Sequence, residues 1–238
     1  MTNPEPREIH WTPERVLNFW DYHGSNPALT GQYFGGMMGR SLLDYVGRHI
    51  TIRTAVDVGC GRGHLMQFLM QRGSDVHGSD QSPASIELIC REFADMPHFK
   101  GATVGTQALP DAIADTVFMV EVIEHLDDDT LDAALREAHR LLKPGGHLVL
   151  TTPNEEDLDA SKIMCPNCHT VFHRMQHVRS WSAPGLSARV ALNGFRTKRS
   201  EGVVLTPYSG LLDAIYRRLY LFRRRGHRPS LIYIGTKA

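Results

Sequence analysis

Asp57-Val58-Gly59-Cys60-Gly61-Arg62-Gly63 is the stretch on which the reading of the fold turns. It follows a short β-branched run at 54–58 and precedes an apolar cluster, Leu65, Met66, Phe68, Leu69 and Met70, that suits a helix lying on a sheet. The order is therefore strand, loop, helix. Three glycines let the backbone turn sharply and lie close to a ligand, and free amides at the helix start are expected to face an anionic group. Ligands of open α/β sheets bind at such carboxyl ends of strands. Asp80 ends the next predicted strand, where a carboxylate can accept both hydroxyls of an adenosine ribose.

The same alternation continues outward from this loop. Strands are predicted at 74–79, 102–105, 116–120 and 147–151, with helices at 83–93 and 130–142. Lys143-Pro144-Gly145-Gly146 is the expected stop of the second of these helices. Strands and helices in this order predict an α/β fold, a doubly wound parallel sheet with right-handed crossovers and helices on both faces. Residues 1–50 read as a helical N-terminal cover, with Trp11, Phe19, Trp20, Tyr33 and Phe34 as apolar anchors, and 51–238 as the main domain. Residues 153–183 break the pattern and read as an insertion. A helix near 184–192 and a strand pair near Val203 and Ile232 complete the chain, and there is no internal repeat.

Composition bounds the possibilities. A chain of 238 residues holds one well-buried domain plus a small attachment, not two full enzyme domains. Lys plus Arg equals Asp plus Glu at 26 each, so the chain as a whole has no bulk electrostatic attraction to nucleic acid. The polar first 14 residues show no secretory signal, and no run reaches the roughly 18 apolar residues that cross a bilayer. With only four cysteines, two of them in a Cys-x-x-Cys pair, a cytoplasmic protein is expected, peripheral to the inner face of the membrane if its basic segment docks there.

Taken in order, 55–65, 76–83, 108–110, 121–126 and 141–146 resemble the successive motifs of class I S-adenosylmethionine-dependent methyltransferases, over a span of 52–195. The resemblance implies a seven-stranded, mostly parallel sheet with an antiparallel last strand at 231–235. It also implies that Asp57, Gly59, Cys60, Gly61 and Gly63 hold the methionine portion of the cofactor, that Asp80 holds the ribose, and that Gln81 and Glu121 belong to the cofactor-binding set. Many relatives carry an acidic residue for the adenine amine where this chain has Thr106-Gln107, so Gln107 would serve through its amide oxygen. The motifs are most similar to those of ubiquinone-pathway O-methyltransferases and small-RNA 3′-terminal 2′-O-methyltransferases. A nicotinamide dehydrogenase is disfavoured by the compact Gly-x-Gly-x-Gly spacing, and a noncatalytic cofactor-binding module is the remaining alternative.

Methyl transfer needs an acceptor aligned with the methyl carbon and relieved of its proton. Glu121-Val122-Ile123-Glu124-His125 follows the fourth strand, where that chemistry belongs. Either His125 is the base, or Glu121, Glu124 and His125 hold a divalent ion that lowers the pKa of an acceptor hydroxyl, as the matching motifs of the relatives imply. The expected acceptor is a hydroxyl on a small molecule, a glycan or a lipid-linked compound, with RNA as the alternative. In the insertion, Cys165, Cys168, His173 and His177 have Cys-x2-Cys-x4-His-x3-His spacing, which predicts a structural zinc site with His169 as a competing ligand. In metal-free relatives a histidine matching His177 lines the acceptor pocket. Finally, 211–225 interleaves apolar residues with arginines, which fits a helix on an anionic membrane, a core helix with a solvated basic end, or a contact with RNA phosphates.

Overall fold

A computed structural model describes residues 5–26, 28–29, 33–208, 210–224 and 226–238. Its centre is a seven-stranded sheet built from β2 (Thr54–Val58), β3 (Asp75–Asp80), β4 (Phe99–Val104), β5 (Ala114–Val120), β6 (Leu142–Pro153), β9 (Phe195–Val203) and β10 (Ser230–Lys237). The order across the sheet is β4-β3-β2-β5-β6-β10-β9, with β10 antiparallel to both of its neighbours. The doubly wound, mostly parallel expectation is met. Val117, Phe118 and Met119 of β5 and Leu148, Val149 and Leu150 of β6 are fully buried, as in strands with helices packed on both faces.

The helices of the sheet begin where local chemistry dictates. Helix α3 (His64–Gln71) starts at Gly63 in the left-handed region, which favours a residue without Cβ. Ser82 caps α4 (Pro83–Phe93) by accepting the Ser85 amide, with proline in the first turn. Asp127 caps α5 (Asp128–Leu141) by accepting the Thr130 amide at 2.8 Å. Lys143-Pro144-Gly145-Gly146 does end α5, yet without a separate strand after it. Leu142 already pairs with Ala114 and His147 pairs with Thr116, so the four residues loop out of one continuous ladder. Strand β4 begins earlier than expected, at Phe99.

The N-terminal region holds α1 (Pro13–Ser25) and α2 (Phe34–Gly47), the latter burying Leu42, Leu43 and Val46. Each such side chain contributes about 1.5–3 kcal/mol when removed from water. The insertion forms a hairpin of β7 (Lys162–Met164) and β8 (Thr170–His173), and β1 (Arg7–Glu8) adds to it in parallel to make a second, three-stranded sheet. After it come α6 (Ala183–Ala191) and, between β9 and β10, α7 (Gly210–Arg223). Residues 1–4, 27 and 30–32 of the expected cover and Arg225 of the basic segment lie outside the described residues. Among the described residues, no helix is long and apolar enough to cross a membrane.

Candidate functional site

The glycine loop joins β2 to α3 at the carboxyl edge of the sheet. Gly59, Gly61 and Gly63 have φ of +76°, +51° and +73°. A Cβ on Gly59 would stand 2.6 Å from Val122 Cγ2, and one on Gly63 would stand 2.5 Å from Phe93 Cε2, so neither position tolerates a side chain. Ahead of the helix start, four amides of the loop itself are engaged within the chain. Those of Gly59 and Cys60 donate to the Ser79 carbonyl, that of Gly63 to the Cys60 carbonyl, and that of Gly61 to Asp80 Oδ2 at 2.8 Å. The anion that the loop faces is the chain's own Asp80.

Asp80 accepts the Ser82 amide on Oδ1 at 2.9 Å, which fixes its carboxylate at the end of β3 with lone pairs remaining. Burial pushes its pKa up in spite of these amides. Asp57 is buried below it, and burial together with Asp80 pushes it up to about 7. Asp21 of α1 brings a third carboxylate, whose Oδ1 is buried without a partner. Three carboxylates gathered in this way favour a ligand with positive charge and hydroxyl donors. Gln81 and Gln107 are exposed, with Gln107 on the turn after β4, and Thr106 donates its hydroxyl to Glu137.

Beyond β5 the chain turns at Glu121, whose φ of +54° is rare for a residue with a Cβ. Its Oε1 accepts the Thr151 hydroxyl at 2.7 Å, and burial pushes its pKa up to about 7. Glu124 is 1% exposed, and both of its carboxylate oxygens are buried without a hydrogen-bond partner. Burial, then Glu121, pushes it well above the usual carboxylate range. One ligand atom each of Glu124, His125 and His177 lie within 4.8 Å of one another.

The two imidazoles are held in the same way. His125 Nδ1 faces the Gln176 carbonyl at 3.4 Å, and His177 Nδ1 faces Glu156 Oε2 at 2.5 Å. Both partners are acceptors, so each Nδ1 carries hydrogen. Burial, then His177, holds the His125 pKa down to about 3, so this imidazole is neutral and a weak base. Beside the cluster opens a cleft of about 540 Å3 walled by Trp11, Glu156, Phe172, His173 and His177.

A model of the methyltransferase domain matches residues 33–199. The chain belongs to the methyltransferase-domain family. It is 32% identical over 166 residues to the ubiquinone biosynthesis O-methyltransferase of Alkalilimnicola ehrlichii, covering 64% of this chain and 61% of that protein. The corresponding enzyme of Acinetobacter baylyi is 26% identical over 167 residues, with 64% of each chain covered. The match thus spans less than two thirds of these relatives. In fold, the chain is similar to the 1,6-didemethyltoxoflavin-N1-methyltransferase of Burkholderia thailandensis, solved with S-adenosylhomocysteine, with a TM-score of 0.64 at 15% identity over 98% of this chain and 94% of that one. An S-adenosylmethionine-dependent methyltransferase of Archaeoglobus fulgidus gives 0.58 at 19% identity over 84% and 92%.

Within this methyltransferase fold the expected zinc set does not assemble. Cys165 and Thr170 close the β7–β8 turn, with the Cys165 amide donating to the Thr170 carbonyl at 2.9 Å. His173 lies three residues farther along β8, about 10 Å at the usual strand rise. Its Nδ1 accepts the amides of Met175 and His177, and its Nε2 lies 3.3 Å from Glu156 Oε1. Among the described residues, the groups that could hold a metal are Glu124-His125-His177 and Glu156-His173-His177, and neither includes a cysteine. Cys168 stays exposed at the turn, and hydrogen bonding with Thr170 and Cys165 holds its thiol down to about 7.

Several residues of the methyltransferase site carry no sequence signal. Trp20 of α1 packs edge-on against His125 with ring centroids 4.7 Å apart. Its Nε1 donates to Gln176 Oε1 at 2.9 Å, and Gln176 Nε2 donates to the His125 carbonyl at 3.1 Å. Arg62 ties the same helix to the glycine loop by donating to the Gly24 carbonyl at 2.9 Å. Glu156 is the other unforeseen residue, joining His173 to His177.

The raised pKa of Glu121 has a measurable sign. Folded Glu121 binds its proton more tightly than the unfolded chain does, so the native state loses stability as pH rises from about 4.5 through about 7. In chelator, Glu121→Gln should therefore match the wild type near pH 4.5 and become more stable by up to about 3 kcal/mol at pH 8. Urea titrations at the two pH values check this, and a gap that does not widen with pH would show that Glu121 ionises freely.

Proposed function

We propose that the chain is an S-adenosylmethionine-dependent O-methyltransferase that methylates a hydroxyl of a small molecule, with a divalent cation held by Glu124, His125 and His177. The observation that carries the reading is Glu124, whose two buried carboxylate oxygens have no hydrogen-bond partner, with a ligand atom each of His125 and His177 within 4.8 Å. Removing a carboxylate from water without compensation is costly, and a cation supplies that compensation. Imidazoles fixed through Nδ1 by a carbonyl and a carboxylate match the usual outer shell of metal-ligating histidines. The similarity to ubiquinone biosynthesis O-methyltransferases supports hydroxyl chemistry, and a cleft of about 540 Å3 suits a small acceptor.

Asp80 would accept the ribose hydroxyls and Asp57 with the glycine loop would hold the amino-acid end, while S-adenosylmethionine supplies an electrophilic methyl group. The cation, when bound, makes an acceptor hydroxyl more acidic. Glu124, His125 and His177 orient that hydroxyl. Glu121 is the group matched to take its proton at neutral pH, since its pKa lies at about 7 whereas that of His125 lies at about 3. Trp20 and α1 cover the site and exclude water. The reading is tested by incubating the protein with methyl-labelled cofactor, cell-extract fractions and either magnesium, manganese or chelator. Label should enter a small-molecule fraction, with chelator abolishing transfer and cation restoring it. Label in RNA, or cofactor binding without transfer to any fraction, would overturn the reading.

A further inference from the structure

The helix α7 is held to the body of the protein by polar contacts on one face and leaves an apolar stripe on the other. Arg217 donates to Asp213 at 2.8 Å, to the Val204 carbonyl and to Ser41 of α2, and Thr206 donates to Asp213. The anchored face is therefore satisfied. On the opposite face Leu212, Ile215, Leu219 and Phe222 recur at helical spacing, and Tyr216 lies among them. Leu212 is 66% exposed and Phe222 85%. Single exposed apolar residues are ordinary, but a continuous stripe along about three turns marks a contact surface.

The charges around the stripe identify what it contacts. Arg218, Arg223, Arg224 and Arg228 are exposed at its margins and at the end of the helix. The single acidic residue of the helix, Asp213, is already paired with Arg217. A symmetric dimer through this face would oppose arginine to arginine. Nucleic acid would take the arginines and leave leucine and phenylalanine against phosphates. An anionic bilayer satisfies both halves, with the apolar side chains in the acyl boundary and the guanidinium groups at the headgroups.

The topology gives this contact a direction. Val203, which ends β9, and Ser230, which begins β10, are register partners, and Ser230 also pairs with Pro153 at the end of β6. The connection that carries α7 thus leaves and rejoins the sheet at its carboxyl edge, where Asp80, Glu121 and the glycine loop lie. We propose that α7 docks this edge on an anionic membrane surface, so that the site takes an acceptor from, or returns product to, the bilayer interface. This inference is independent of the cation reading.

The test is flotation of the full chain with vesicles of phosphatidylcholine alone and of phosphatidylcholine with about a third phosphatidylglycerol, at low and high salt. Wild type should float with the anionic vesicles, and Leu219→Glu combined with Phe222→Glu should lower partitioning at least about tenfold while S-adenosylhomocysteine affinity and thermal stability stay unchanged. Failure of wild type to float at low salt, or equal flotation of the double variant, would overturn the proposal. So would a concentration-dependent dimer that the double variant abolishes without any vesicle binding, or binding to an RNA duplex that is lost on Arg218→Ala with Arg224→Ala and kept in the double variant.

Discussion

Glu124→Gln should lower methyl transfer by at least about 100-fold, since a change in the outer shell of a metal site alone costs about 10–100-fold. The substitution keeps shape and volume and removes only the charge, at a position 1% exposed to solvent. Two effects then separate. In chelator the variant should unfold at a temperature equal to or above that of wild type, because an unpartnered buried carboxylate is a burden on the folded state. Calorimetric titration with manganese should show affinity falling with the activity. Full activity with unaltered cation binding would remove Glu124 from the site, and a large fall in unfolding temperature in chelator would assign it a structural task instead.

Asp80→Ala should weaken S-adenosylhomocysteine binding by about 1.5–3 kcal/mol, the range for hydrogen bonds to a charged group, or roughly ten- to more than a hundredfold. The carboxylate has two duties, since it also accepts the amides of Gly61 and Ser82. Asp80→Asn separates them. Its carbonyl oxygen still accepts one amide, so a loss of affinity in this variant without loss of stability reports the ligand contact. Calorimetry giving unchanged affinity in both folded variants would exclude Asp80 from ribose recognition.

The sheet and its cofactor loop were legible because they rest on strong local patterns. Buried β-branched runs, glycines demanded by positive φ at 59, 61 and 63, and an acidic strand end all leave marks in the sequence. The second sheet left none, since β1 has two residues and β7 and β8 have three and four, too few to show alternation. The four expected zinc ligands do not come together for a related reason. Spacing counts residues along the chain, whereas a hairpin carries His173 away from the turn that holds Cys165 and Cys168, and its own backbone amides occupy His173 Nδ1. His177 joins Glu124 and His125 only through the fold, and Trp20 meets His125 from more than 100 residues away. An apolar anchor and a wall of the site look alike in one dimension.

The pairing of Arg7 with Thr170 also sets an order of assembly. A ribosome delivers β8 only about 160 residues after β1, so at ordinary elongation rates of about 5–20 residues per second β1 waits on the order of ten seconds for its partner. The central strands need no such delay, since β2, β3 and β5 emerge close together. The nascent protein can therefore pair β2, β3 and β5 before β1 finds β8, and the central sheet is completed only later still, when β10 enters between β6 and β9.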